Sequence, residues 1–277
     1  MPHGLSPSSF SAFMDCPLAF KFSYLDRLPQ PPSAPASKGT LVHHALELLM
    51  LRSPQERTLP NALADLARAR IALADDPDFT ELELSNEEWA AFHAEAEVLV
   101  QRYFELEDPT TVVPIGLELR LSATVGSVTL RGIIDRLELD ADGELVITDY
   151  KTGSVPREQY TQARLAGVHM YALMVEQTLG RRPARVQLLY LSKPEAIIAT
   201  PSEQSISGVG RKANALWSAI AQACKRDDFR PSPGPLCQWC AYQPYCPAFG
   251  GDPVNAEELR GPGTMISPTL PLAAASA

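Results

Sequence analysis

Apolar positions along this chain recur with two periods, and the switches between them mark out its elements. From Lys38, GTLVHHALELLM puts Leu41, Val42, Ala45, Leu46 and Leu49 on one stripe, which predicts a buried helix. Residues 58–74 and 85–106 repeat that spacing. The second opens with a capping box from Ser85 to Glu88 and turns Trp89, Phe92, Leu99 and Tyr103 inward. The period then drops to two. Leu117, Leu119 and Leu121 alternate in a strand over 115–125 that turns at Gly126 toward a second strand carrying Asp135. Leu137 and Leu139, then Leu145 and Ile147, alternate around Asp142-Gly143, a pair suited to the positive φ angles of a tight hairpin turn. Residues 157–179 return to helix and end near Gly180, Arg185 to Ser192 is an almost continuous apolar run, and 203–226 read as a last helix. Helix-to-strand succession after the hairpin implies the crossover of a mixed sheet, hence an α/β fold.

Three stretches break the pattern. Residues 5–25 begin with serines suited to capping and bring Phe10, Phe13 and Met14 to helical spacing before Cys16-Pro17. Residues 28–37, LPQPPSAPAS, are a proline-rich connector not expected to form a regular helix. Residues 250–277, rich in Pro, Ala and Ser, lack periodicity and bulk and are expected to be a disordered tail.

Composition excludes more than it identifies. At 277 residues, 45% hydrophobic and 21% charged, the chain reads as soluble and globular rather than fibrous or disorder-dominated. The N-terminus MPHGLSPSSF lacks a basic region followed by an apolar run, and no apolar stretch approaches the roughly 18 residues of a membrane span. The expected location is the cytoplasm, with no membrane contact. No G-x-x-x-x-G-K-[ST] loop occurs, so the chain carries no motor of its own. The net charge of −9 divides into −13 over residues 1–150 and +4 over 151–277, which leaves a local basic groove and a scatter of surface charge as equal readings.

The candidate chemistry is concentrated in Arg131–Gly153. Asp149 and Lys151, two apart on a strand, share a face, and Asp135 on the preceding strand lies beside them in a compatible register. Carboxylates on rigid strands hold magnesium or manganese and leave positions for water and phosphate; a neighbouring lysine orients a water or offsets developing charge. On spacing alone, a solvated hairpin with Asp and Lys paired across strands is an equal reading. His43, alone on an apolar helix, would more often be a core residue than a ligand. Five cysteines in a cytoplasmic chain favour metal or cluster ligation over disulfides. Cys237, Cys240 and Cys246 form C-x2-C-x5-C with Cys16 far upstream, whereas Cys224 lies in an apolar helical pattern and suits core packing.

Taken together, G-I-I-D-R at 132–136 and D-Y-K-T-G at 149–153, whose aspartates are fourteen residues apart, resemble the central signature of the PD-(D/E)XK nuclease superfamily, in its RecB-like branch. G-T-L-V-H-x-x-L-E from Gly39 is similar to that branch's first motif. S-x-S-x-F from Ser6, then C-P-x-x-F-x-F from Cys16, looks like the opening of its members that carry an iron–sulfur cluster. The resemblance implies one domain over 1–249: a restriction-endonuclease-like mixed sheet flanked by helices, a helical insertion at about 52–110, and an iron–sulfur lobe from about 5–27 and 230–249. It implies His43, Asp135 and Asp149 as ligands of Mg2+ or Mn2+, Lys151 as the water-positioning or charge-stabilising group, and Cys16, Cys237, Cys240 and Cys246 as ligands of a [4Fe–4S] cluster. Tyr171 looks like the tyrosine of the branch's Q-x-x-x-Y, although Gly167 stands where the glutamine belongs; Arg164, on the same helical face, is a candidate phosphate contact. Glu118, at a position often acidic in the family, is expected only to support the site. The implied function is a metal-dependent deoxyribonuclease, an exonuclease on single strands or duplex ends in DNA repair or recombination, with a helicase or repair partner. The alternatives are a DNA-binding iron–sulfur subunit of such a complex with little activity alone and, more distantly, a zinc-binding regulator.

Overall fold

The structure is a computed structural model that describes residues 1–156 and 158–260, with the backbone alone described at 158–166 and 260. Its centre is a five-stranded sheet of order β1-β2-β3-β4-β5, formed by Val113–Val125, Val128–Leu139, Leu145–Lys151, Arg185–Tyr190 and Glu195–Ala199. β1, β2 and β3 meander antiparallel, β3 and β4 run parallel, and β5 returns antiparallel. The parallel step needs a crossover, supplied by the long helix Glu158–Leu179. The mixed sheet flanked by helices agrees with the fold expected from the sequence. Gly126 and Gly143 take the positive φ of the two hairpin turns, 61° and 73°.

Helices cover both faces. On one side lie α1 (Pro7–Asp15), α2 (Pro17–Phe20), α7 (Glu158–Leu179) and α8 (Glu203–Arg226), packed with Leu130, Ile134, Ile147 and Leu188. On the other, α3 (Ala34–Met50), α4 (Leu59–Ala72), α5 (Pro77–Thr80) and α6 (Asn86–Tyr103) share a second core with Tyr150, Leu189 and Leu191. β3 is buried from Leu145 to Tyr150 because both faces are covered. Among the described residues no helix is long and apolar enough to cross a membrane.

Three details differ from the sequence reading. α3 begins at Ala34, inside the proline-rich connector, because Pro35 lies in the first turn, where its missing N–H is an orphan in any case. β5 is an additional short edge strand. Residues Pro253–Arg260, within the expected tail, form a 3-10 segment with Ala256 buried against the first core, whereas 261–277 lie outside the described residues.

Double coverage also buries polar residues that alternation would place in solvent. Arg136 is 0% exposed and lies 2.5 Å from Glu107, 2.6 Å from Glu138 and 2.8 Å from the Tyr150 hydroxyl. Gln187 and Thr148 donate hydrogen bonds to Glu138. Glu107 follows α6, so this network fastens the helical layer to the sheet. Removing a buried cation from two carboxylates leaves uncompensated charge, so Arg136→Met is expected to cost about 3–5 kcal/mol. Urea unfolding measures it, and a loss below about 1 kcal/mol would show that the network carries no stability.

Candidate active site

Two backbone irregularities build the site. The β2–β3 ladder stops at Arg136 opposite Thr148, and the Asp135 carboxylate, not its carbonyl, accepts the Tyr150 N–H at 2.7 Å. On the other flank, the β1–β2 register steps from Leu117–Arg136 to Leu119–Ile134, leaving Glu118 and Asp135 unpaired between them. Glu118 has a φ of 44°, a left-handed conformation that costs a non-glycine residue of order 1–3 kcal/mol and concentrates at functional sites. Its consequence is a switch of faces: Leu117 packs into the second core and Leu119 into the first, although residues two apart normally share a side. Ile134 and Arg136 divide the same way. Glu118 and Asp135 therefore sit at the seam between the two cores, where α3 brings in His43.

His43, Glu118 and Asp135 each offer a ligand atom, all within 4.8 Å of one another, and His43 Nδ1 lies 3.4 Å from Asp135 Oδ2. Burial pulls the His43 pKa down, but the hydrogen bond and charge of Asp135, with Asp149 behind, outweigh it and leave the imidazole above its ordinary value. Burial, then Asp135, raises the Glu118 pKa. Both shifts mark a site short of positive charge. One imidazole with two carboxylates suits a divalent cation such as magnesium or manganese, the imidazole favouring manganese.

Asp149 lies outside that trio, buried, with Lys151 Nζ 2.5 Å from its Oδ2. Burial raises the Asp149 pKa against the pull of Lys151, while Asp149 keeps the Lys151 amine protonated despite burial. The proton stays on the lysine because an amine starts far above a carboxyl. Tyr171 on α7 approaches because Gly132 has no side chain: a Cβ there would meet the Tyr171 ring at 2.9 Å. Burial, with Asp149, Asp135 and Glu118 nearby, raises its hydroxyl pKa, so Tyr171 remains a proton donor.

The cysteines meet elsewhere, with Cys16, Cys240 and Cys246 packed against the first core. Pro17 and Pro247 exclude helical backbone at the preceding residue, so Cys16 and Cys246 are extended, with φ of −158° and −85°. Both line a cavity of about 390 Å³ with Cys237 and Cys240. Ser232 N–H points at Cys16 Sγ (3.4 Å) and Gly234 N–H at Cys237 Sγ (3.3 Å). A tetrahedral zinc with sulfur at about 2.3 Å holds thiolates within about 3.8 Å of one another. Among the described residues no three of the cysteine sulfurs lie within 4.8 Å of one another, unlike the donors of the His43 trio.

The structure thus gathers His43, Asp135, Asp149, Lys151 and Tyr171 at one place and the four cysteines at another. Glu118, expected only to support the site, stands level with His43 and Asp135. Its parity opposite the leucines hinted at this, but its positive φ had no local signal. His44 pairs with Glu47 at 3.0 Å and is not a member of the trio. At Gly167, α7 passes α1, and a Cβ would lie 3.7 Å from Pro7. The side chain of Arg164 lies outside the described residues.

With this geometry in view, residues 4–247 match the PD-(D/E)XK nuclease superfamily, and the chain belongs to it. It is similar to the gene 69 protein of Mycobacterium phage D29, 24% identical over 268 residues that cover 88% of this chain and 96% of that protein. The gene 69 protein of Mycobacterium phage L5 is 24% identical over 148 residues, 52% of this chain and 47% of that one. A protein of Eubacterium rectale described as a candidate exonuclease shares the fold, with a TM-score of 0.57 and 12% identity over 87% of this chain and 88% of that one.

Because a ligating imidazole must be neutral, manganese affinity is expected to fall as pH drops through the raised His43 pKa and to be fully present above it. In calorimetric titrations, His43→Ala should lose more than the roughly 10–100-fold typical of residues that merely orient a ligand, while His44→Ala stays close to the parent. Equal affinities for the two variants would remove His43 from the donor set.

Proposed function

We propose that this chain is a metal-dependent deoxyribonuclease, an exonuclease on single strands or duplex ends in DNA repair or recombination, stiffened by a [4Fe–4S] cluster. The observation that carries this is the seam itself, where His43, Glu118 and Asp135 converge beside the buried Asp149–Lys151 ion pair. His43, Asp135 and Glu118, with Asp149 beside them, would hold a divalent cation, which when bound would polarise the scissile phosphate and acidify a water. Asp149 anchors Lys151 and keeps it charged. Lys151 then offers an N–H to the attacking water and positive charge where the phosphate gains negative charge. Tyr171, held protonated, donates a hydrogen bond on the α7 side.

Cys16, Cys237, Cys240 and Cys246 are the proposed cluster ligands, supported by their convergence on one cavity and by the two amides directed at sulfur. A cluster there joins the two ends of the domain and takes no part in the chemistry.

End-labelled and circular DNA, single-stranded and duplex, incubated with magnesium or manganese, test the activity. Linear DNA is expected to shorten from its ends while circles persist. Asp149→Ala and Lys151→Ala should each lower kcat by about 100-fold or more while circular dichroism shows the fold retained. Wild-type cleavage in the Asp149 variant would sink the assignment. For the lobe, the purified protein should be brown with iron and sulfide bound, and Cys16→Ser should lose the colour and become protease-sensitive at both ends. A colourless zinc protein would refute the cluster.

A further inference from the structure

Beyond the seam, the β1–β2 hairpin presents one bare face. Toward the first core it sends Leu121, Ala123, Val128 and Leu130, all buried. The opposite face carries Arg120, Ser122 and Thr124 on β1 and Thr129, Arg131 and Ile133 on β2, with every one of these except half-buried Thr129 exposed. This is the side that α3 and α6 cover farther along the sheet, but the helical layer stops at the seam. Arg120 stands opposite Ile133 and Arg131 opposite Ser122, so the two arginines are diagonal neighbours about 7–8 Å apart. Neither forms an ion pair among the described residues; Glu118, at the seam two residues from Arg120, feels that arginine's charge, and the strand positions beyond it on this face hold no acid. Like charges placed this close gain nothing within the fold. In a chain of net charge −9, an exposed strand face where hydroxyls surround two arginines without an ion-pair partner among the described residues is complementary to a polyanion.

We infer that this face is the track that carries the phosphate backbone of the scissile nucleic-acid strand to the metal site. Strand geometry sets the spacing. Arg120 lies two residues beyond Glu118, about 7 Å, and Arg131 four residues from Asp135, about 13 Å. Those distances place both guanidinium groups within a few nucleotides of the metal site along the strand. The guanidinium forks take phosphate oxygens, the hydroxyls of Ser122, Thr124 and Thr129 are short enough to admit the backbone, and Ile133, 40% exposed, offers an apolar surface to a sugar or base next to Asp135. All of these interactions ignore sequence, as suits an enzyme that advances along a strand. The inference rests on the nuclease reading only for the identity of the polyanion.

The test uses the full chain and fluorescein-labelled single-stranded and duplex oligonucleotides, with calcium in place of magnesium or manganese so that binding is read without cleavage. Removing one arginine–phosphate pairing lowers the slope of log affinity against log salt by about 0.7–0.9. The Arg120→Gln/Arg131→Gln double variant should therefore lose roughly 1.4–1.8 of slope at unchanged melting temperature, the Lys/Lys variant should keep most of it, and in cleavage assays the deficit should fall on KM. Arg181→Gln, at an exposed arginine paired with Glu144, should leave the slope alone. Cleavage with wild-type slope and KM in the double variant overturns the track and spares the nuclease reading. Arginine-dependent binding by a wild-type chain that cleaves nothing in any metal does the reverse. A wild-type chain that binds neither oligonucleotide refutes the track outright and reassigns the face to an acidic protein partner.

Discussion

A single hydrogen bond, from the Tyr150 amide to the Asp135 carboxylate, fixes the geometry on which the site depends. Tyr150 lies in a strand buried on both faces, where an unpaired N–H costs about as much as a missing hydrogen bond. Had the β2–β3 ladder continued, a carbonyl would have met that need and the carboxylate would have been free to turn. Because the ladder ends at Arg136, the side chain takes over the backbone's role, and the same oxygen faces His43. Strand separation and carboxylate orientation are one event.

Tyr150 links this bond to the sealed network beside it. Its amide holds Asp135, its ring lies edge-on to His43 at 5.9 Å, and its hydroxyl accepts from Arg136. Asp135 and Arg136 are adjacent in sequence yet occupy opposite regimes. The arginine is excluded from water and saturated by carboxylates and hydroxyls, whereas the aspartate opens on the seam. A buried ion pair of this kind is a poor source of net stability, but it discriminates strongly against any arrangement that separates its members. Here the separable members are the helical layer, through Glu107, and the sheet, so the network sets where α3 docks and thereby where His43 stands.

In the cysteine lobe, proline does comparable work by different means. Two Cys-Pro junctions force extended backbone, and successive short turns at Pro235–Trp239 and Gln243–Tyr245 present the remaining thiols. The lobe has protein contacts of its own: Tyr242 donates to the Leu28 carbonyl at 3.2 Å and packs its ring against Phe22 at 5.1 Å. These contacts join the chain ends through ordinary packing, and ligation of the four cysteines would tighten a junction that already exists.

Much of this was legible in the sequence, because periodicity, caps and turn residues act within a few positions of themselves. α8 runs over 203–226 as its spacing predicts, the crossover helix ends at Gly180, and the Asp142-Gly143 turn is where the alternation reverses. His43, Asp135, Asp149 and Lys151 are singled out by resemblance to a family's motifs, because pattern alone reads His43 as a core residue and Asp149 with Lys151 equally well as a paired, solvated hairpin. Other features depend on partners distant in the chain. Alternation with Leu137 and Leu139 would by itself put Glu138 in solvent, but a helical layer built from residues 34–103 covers that face and buries it beside Arg136. Glu118 looked like a charge on a strand until the register with β2 left it opposite Asp135 with a positive φ. Local sequence determined which elements form and which way they face; only the tertiary structure decided where two cores meet across one sheet, because that boundary is a property of the packing of all the layers at once.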